Sequence, residues 1–204
     1  MKSIAIRAAT PTAAVAGCSA CVGAVGSARR HTLKAMAGAA WMAAVGAVSA
    51  ADDIGPQAGD WLVQVDDDAM KPLVAADFKI GDKPMVVFPC DPVTKTLRDG
   101  SRLNRIVLVR LEPATLDAPT AARAADGIVA YSAFCTHQGC DVSSWVAAEK
   151  VLLCFCHFSK FAPQQEAAVT GGPAPRPLPA LPLKLQDDKL VIAGRFTAAP
   201  GKAV

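Results

Sequence analysis

Two short runs hold most of the metal-type side chains of this chain: CTHQGC, with Cys135, His137 and Cys140, and CFCHFS, with Cys154, Cys156 and His157. The sequence has three histidines, and two of them sit at C-x-H and C-x-x-H, with 16 residues between His137 and Cys154. Two thiolates and two imidazoles, supplied as two mixed pairs, suit a binuclear iron-sulfur site in which one iron takes two Cys and the other two His. Zinc also takes Cys and His, but structural zinc usually draws on a Cys pair and a His pair, whereas each pair here is mixed. A zinc-stabilised binding module therefore stands as the alternative of another class. Neutral imidazole ligands leave a diiron cluster less negative than four thiolates would, so it accepts one electron readily. Each ligating His also keeps a second ring nitrogen whose proton leaves more easily as the metal charge rises, which couples electron and proton transfer. No nucleophile, general-base pair or phosphate loop accompanies these residues. The chemistry points to an electron carrier that depends on a partner for catalysis.

Such loops need a rigid frame. Short β-type runs recur at Trp61 to Val65, Met85 to Phe88, Ile106 to Leu111, Ile128 to Phe134, Val151 to Cys154, Leu181 to Leu185 and Lys189 to Ala193, with Gly, Pro and Asp between them. This spacing predicts an all-β fold of antiparallel strands. One short helix is expected over Leu116 to Ala125, with Asp117 as its cap and Pro119 near its start. The first ligand pair follows one strand and the second begins at the end of another, so both sit on loops. Segment 91–104, rich in turn residues, reads as a hairpin or surface excursion. Trp145, between the ligand runs, is either a shield for the metal site or an ordinary core aromatic.

The two cysteine-histidine runs resemble those of the Rieske iron-sulfur proteins, both the cytochrome bc-type subunits and their periplasmic relatives. The resemblance covers roughly residues 80–195 and implies an antiparallel β-sandwich with a small cluster-binding subdomain at about 128–178. It implies that Cys135 and Cys154 ligate the buried iron of a [2Fe-2S] cluster and His137 and His157 the outer iron. Cys140 and Cys156 would form a disulfide between the loops, and Ser159 would hydrogen-bond a bridging sulfide. GPAPRPL, from Gly172 and Pro173 to Leu178, resembles the proline loop that covers the cluster. Proline fixes φ and glycine permits positive φ, so such a loop can hold a rigid lid. Three aromatics depart from the bc-type pattern: Phe155 stands at a proline position, Phe158 at a glycine and Phe161 at a tyrosine whose hydroxyl reaches a ligand sulfur. Loss of that hydroxyl predicts a positive potential below that of the typical bc-type protein, within a range of about −150 to +300 mV.

The first 51 residues carry five basic residues, Lys2, Arg7, Arg29, Arg30 and Lys34, and no Asp or Glu. ARRHTLK, Ala28 to Lys34, resembles the twin-arginine export motif, and the apolar run Ala35 to Val48 ends in the small triplet Val48-Ser49-Ala50. Residues 1–51 are expected to form a twin-arginine signal sequence, with the apolar run either cleaved or retained as a membrane anchor. Export of a folded chain suits a protein whose cluster is inserted before transport. The remaining domain, residues 52–204, has 16 basic and 18 acidic residues, so no basic patch for nucleic acid is indicated. An oxidising compartment allows a Cys140 to Cys156 disulfide and leaves Cys90 unpaired, with burial as a small apolar residue its expected state. The expected function is an exported, periplasmic electron-transfer protein, the iron-sulfur subunit of an oxidoreductase complex without an active site of its own. The expected partner is a molybdopterin enzyme, a cytochrome b or a c-type cytochrome. The second reading is the quinol-oxidising subunit of a bc-type complex, held by an uncleaved helix.

Overall fold

The computed structural model describes residues 55–202; the twin-arginine motif and the apolar run that follows it lie outside them. Ten strands form two antiparallel sheets. The larger takes β1 (Trp61–Gln64), β2 (Met85–Cys90), β3 (Ile106–Arg110), β4 (Ile128–Ser132), β9 (Leu183–Gln186) and β10 (Lys189–Ile192), in the order β4-β3-β2-β1-β10-β9. The smaller, β5 (Ser144–Val146), β6 (Val151–Cys154), β7 (Ser159–Ala162) and β8 (Ala168–Gly171), is a meander in sequence order. The larger sheet curls until the segment before β9 lies beside β4: Ser132 donates its N–H to Pro179 and Leu181 donates to Ala130. This contact covers backbone groups that an open edge would leave unpaired.

The apolar runs of β3 and β4 are continuous because both of their faces are buried. Successive side chains of a strand point to opposite faces. Ile106, Leu108, Ile128 and Ala130 enter one core with Leu62, Val87, Leu181, Leu190 and Ile192. Val107, Val109, Val129 and Tyr131 enter a second core with Leu152, Phe161, Cys135 and Cys154. The two strands therefore weld the curled sheet to the loops that carry the thiols.

The helix is shorter than its sequence suggests. Asp117 caps it as expected, its carboxylate accepting the Thr120 N–H, but α1 spans only Ala118–Ala121. Beyond it the Arg123 carbonyl accepts from Leu183, and Ala125 and Ile128 exchange backbone bonds across Asp126 and Gly127. Both turn residues have positive φ, at 51° and 74°, the geometry that Asp-Gly favours in a two-residue hairpin, so hairpin formation takes the residues the helix would have used. Strands β5, β7 and β8 are additional to those expected from the sequence.

Segment 91–104 begins as a hairpin, with Asp91 donating to Thr96 and Arg98 to Pro89. It is tethered at its far end. Buried Asp60 accepts from Arg98 Nε at 2.6 Å and Nη2 at 2.9 Å, and the Asn104 amide donates to the Arg98 carbonyl at 2.9 Å. Trp145 is half-buried on β5 and lines a cavity of about 110 Å³ with Ile80 and Leu111, as an aromatic of the packed core. Cys90 is fully buried in β2.

Tyr131 carries the chain's single tyrosine hydroxyl, which donates to the Pro163 carbonyl at 2.6 Å inside the second core. Burial holds this hydroxyl protonated well above the ordinary tyrosine range. A raised folded value means that the associated stability is present in full below pH of about 10 and is lost as pH climbs beyond it. Tyr131→Phe leaves the Pro163 carbonyl without its donor and is expected to lower stability by about 1–2 kcal/mol. Urea unfolding should show a lower midpoint with an unchanged slope; a midpoint equal to that of the parent protein would contradict the assignment.

Candidate metal centre

The loop after β4 is closed by its own backbone: Cys135 donates to the Cys140 carbonyl at 2.8 Å and Gly139 donates to the Cys135 carbonyl at 2.9 Å. Gly139 takes a φ of +72°, which turns the chain back towards Val142 and its bond to Ala133. The result sets Cys135 and Thr136 in the interior, with His137 half-buried at the rim. From outside, Arg102 lies over the Phe134 ring at 4.7 Å, so the far end of segment 91–104 braces this loop. Arg102 also pairs with Asp141, as does Arg105.

The second loop is the turn between β6 and β7, where Cys154 pairs with Ser159 and four residues, Phe155 to Phe158, form the connection. Phe158 adopts a φ of +57°, which lets the connection reverse within so few residues. Cys154 is buried, whereas Phe155 and Phe158 are 65% and 64% exposed on either side of exposed Cys156 and His157. The tip of the loop is thus an imidazole framed by two aromatic rings.

The two loops converge. Cys140 and Cys156 are joined by a disulfide with a Cα–Cα separation of 6.5 Å. The rings of His137 and His157 meet edge to face with centroids 4.7 Å apart. Cys135 and Cys154 are free, buried thiols of one core. Burial pushes the Cys154 thiol up, and the neighbouring Cys135 adds to this, while backbone N–H groups of Cys156 and His157 directed at its sulfur act in the opposite sense. The sulfurs of Cys140, Cys154 and Cys156 lie within 4.8 Å of one another, but two of these three are committed to the disulfide. The chemically available donors are therefore two thiols on the inner side and two imidazoles on the outer.

A proline-rich segment closes over the loops. Pro173, Pro175, Pro177 and Pro179 alternate along it and remove every second N–H donor, so few bonds can hold it. Ala174 donates to the Ser159 hydroxyl at 3.2 Å, and the Thr136 hydroxyl donates to the Arg176 carbonyl at 2.6 Å. At its start Gly172, with φ of +80°, lies against the backbone of Phe158 and Ser159. Phe161, fully buried on β7, packs in the core that contains both free thiols.

The family model that describes the Rieske [2Fe-2S] domain matches residues 60–182, more than half of the chain. The chain belongs to the Rieske family. It is 38% identical over 149 residues, 72% of this chain, to a proposed Rieske subunit of a respiratory nitrate reductase from Haloferax mediterranei. It is 37% identical over 100 residues, 48% of this chain, to the Rieske iron-sulfur subunit of the cytochrome bc1 complex of Streptomyces lividans. The matches span 63% and 59% of these two relatives' own lengths. Among solved structures, the plasma-membrane Rieske protein of Synechocystis PCC 6803 aligns with a TM-score of 0.39 at 24% identity, covering 58% of this chain and 93% of the other. The match to the family model makes this a Rieske electron-transfer protein, and a Rieske domain carries a [2Fe-2S] cluster. The zinc reading gives way to this.

The donor set fits that cluster. Nδ1 of His137 is buried and makes no hydrogen bond among the described residues, a costly state for a polar nitrogen unless another partner is intended. Cys135 and Cys154, free and buried in one core, add two thiol donors to the two imidazoles. Among the described residues no helix is long and apolar enough to cross a membrane. Thr136 and Arg176 went unnoticed in the sequence. Their only local signals are a threonine set between two metal-type residues and an arginine inside a run of alternating prolines.

Proposed function

We propose that Cys135 and Cys154 hold the inner iron of the cluster and His137 and His157 the outer iron. The carrying observation is the convergence of two buried free thiols and two imidazoles with ring centroids 4.7 Å apart on disulfide-linked loops. When bound, the cluster supplies a one-electron acceptor of fairly high potential. Cys135 and Cys154 anchor it to the core shared by β3 and β4, and Ser159 and the proline segment from Gly172 and Pro173 cover it and exclude water. His157 is the exposed group through which an electron and its proton reach a partner. Phe155 and Phe158 frame that exit with uncharged surface. The chain works as the iron-sulfur subunit of an exported oxidoreductase complex, with residues 1–51 as a twin-arginine signal and a molybdopterin subunit as partner. The match to the Haloferax nitrate reductase subunit, which spans most of this chain, supports that choice. The bc-type reading, with cytochrome b and quinol as partners, rests on the shorter match to the Streptomyces subunit.

The test is chemical analysis of the purified protein with electron paramagnetic resonance. Two irons and two acid-labile sulfides per chain are expected, with a resonance seen only after reduction. A folded product free of iron and sulfide overturns the ligand assignment. Co-purification of a tagged chain with a molybdopterin subunit supports the first reading, and with a cytochrome b the second.

Phe161 supplies no hydroxyl to a ligand sulfur, and hydrogen bonds to sulfur favour the reduced, more electron-rich cluster. Phe161→Tyr is therefore expected to raise the reduction potential by roughly 60 mV, the equivalent of one hydrogen bond of about 1.4 kcal/mol. A redox titration that finds no rise would show that position 161 only fills space.

A further inference from the structure

The proline segment is held from behind as well as from below. Arg176 sits in its middle, and its Nη2 donates to the Ala199 carbonyl at 2.8 Å and to the Gly201 carbonyl at 3.1 Å. Its other terminal nitrogen, Nη1, is buried and makes no hydrogen bond among the described residues, so the grip on the segment after β10 comes from Nη2. The backbone carbonyl of the same arginine accepts from the Thr136 hydroxyl at 2.6 Å, and Thr136, fully buried, lies between Cys135 and His137. One residue thus joins three chain segments that are far apart in sequence. Residues 199–201 are themselves lodged against segment 91–104, since a Cβ added at Gly201 would come within 3.2 Å of Leu103. On a segment that has lost alternate N–H groups to proline, a charge-assisted hydrogen bond is a large share of what holds it in place.

We propose that Arg176 is a positioning residue which ties the segment after β10, through the proline lid, to the first ligand loop, so that residues 199–201 take part in keeping the metal site closed. The proposal rests on the ligand reading above. With the tie broken, the lid lifts more often and the site is open to water and oxygen for a larger fraction of the time.

Four variants of the full cluster-loaded protein test this: Arg176→Ala, Arg176→Lys, a chain ending at Ala198, and the combination of the first with the last. The readouts are the rate at which visible absorption bleaches in air and the resonance spectrum of the reduced protein. Arg176→Ala and the shortened chain are each expected to bleach roughly tenfold faster, as loss of one charge-assisted hydrogen bond implies, and to broaden the resonance. The combination should bleach no faster than either alone, and Arg176→Lys should restore part of the loss. Thr136→Val breaks the opposite end of the same tie and serves if Arg176→Ala does not fold; it should also bleach faster. Arg110→Ala is the control, because Arg110 makes a similar tie to the Ala75 and Phe78 carbonyls on the other side of the larger sheet. It should lower stability and leave the resonance unchanged. Unchanged bleaching in Arg176→Ala, effects that multiply in the combination, or a control that alters the resonance equally would overturn the proposal. A parent protein that never shows the resonance would instead sink the ligand reading on which it rests.

Discussion

Gly172→Ala is expected to destabilise the protein by about 3 kcal/mol, combining the cost of left-handed backbone with that of overpacking, and to strip most of its iron. The reason is a close approach of two backbones. A Cβ at position 172 would lie 2.5 Å from Ser159 Cα, 2.7 Å from the Phe158 carbonyl oxygen and 2.7 Å from the Ser159 nitrogen. None of these is the end of a flexible side chain, so the collision cannot be relieved by a rotamer change. The φ of +80° adds strain for any residue with a Cβ. The two sides that must part are the lid and the turn carrying His157, so the damage falls on the metal site before it reaches the larger sheet. Denaturant unfolding together with iron analysis measures both effects. A variant with unaltered midpoint and full iron would show that the lid does not sit against Phe158 and Ser159.

Replacing both Cys140 and Cys156 with Ser should have an effect of similar size. The bond closes a loop of 16 residues, which the chain-entropy model values at roughly 3 kcal/mol. For a domain of this size that corresponds to a fall in Tm of roughly 10 °C. The disulfide is the only cross-link made by the protein itself between the two ligand loops among the described residues, and without it His137 and His157 are held together by packing and by the cluster they are proposed to ligate. Removing both sulfurs also avoids an odd thiol beside Cys154, whose sulfur lies within 4.8 Å of both. Exposed Cys156 makes the bond open to small reductants, so treating the parent protein with a dithiol should reproduce the loss. Calorimetry and the decay of visible absorption report the outcome. Equal melting and equal cluster lifetime in the double variant would mean that the loops are held without the disulfide.

The seven apolar runs anticipated in the sequence correspond to β1 to β4, β6, β9 and β10, because each has enough Val, Ile and Leu to mark itself. The Ser144–Val146, Ser159–Ala162 and Ala168–Gly171 strands gave no such signal. They are three or four residues long and mix Ser, Lys, Thr and Gly with their apolar positions, so their strand character depends on neighbours already in place. The continuous run of β4, which reads as one buried strand, does not reveal that it serves two cores. That requires a second sheet on its far face.

What the sequence determined by itself is the set of candidate donors: two Cys-His pairs and two further cysteines, identifiable because a metal accepts few side-chain types and the members of each pair lie within four residues of one another. What only the tertiary structure decided is how those pieces meet. The 4.7 Å approach of His137 to His157, the buried Nδ1, the braces from Arg102 and Arg176, and the collision that reserves position 172 for glycine all join residues distant in the chain. Composition and spacing carry no record of such contacts, because they arise only when β3 and β4, buried on both faces, press one core against the other.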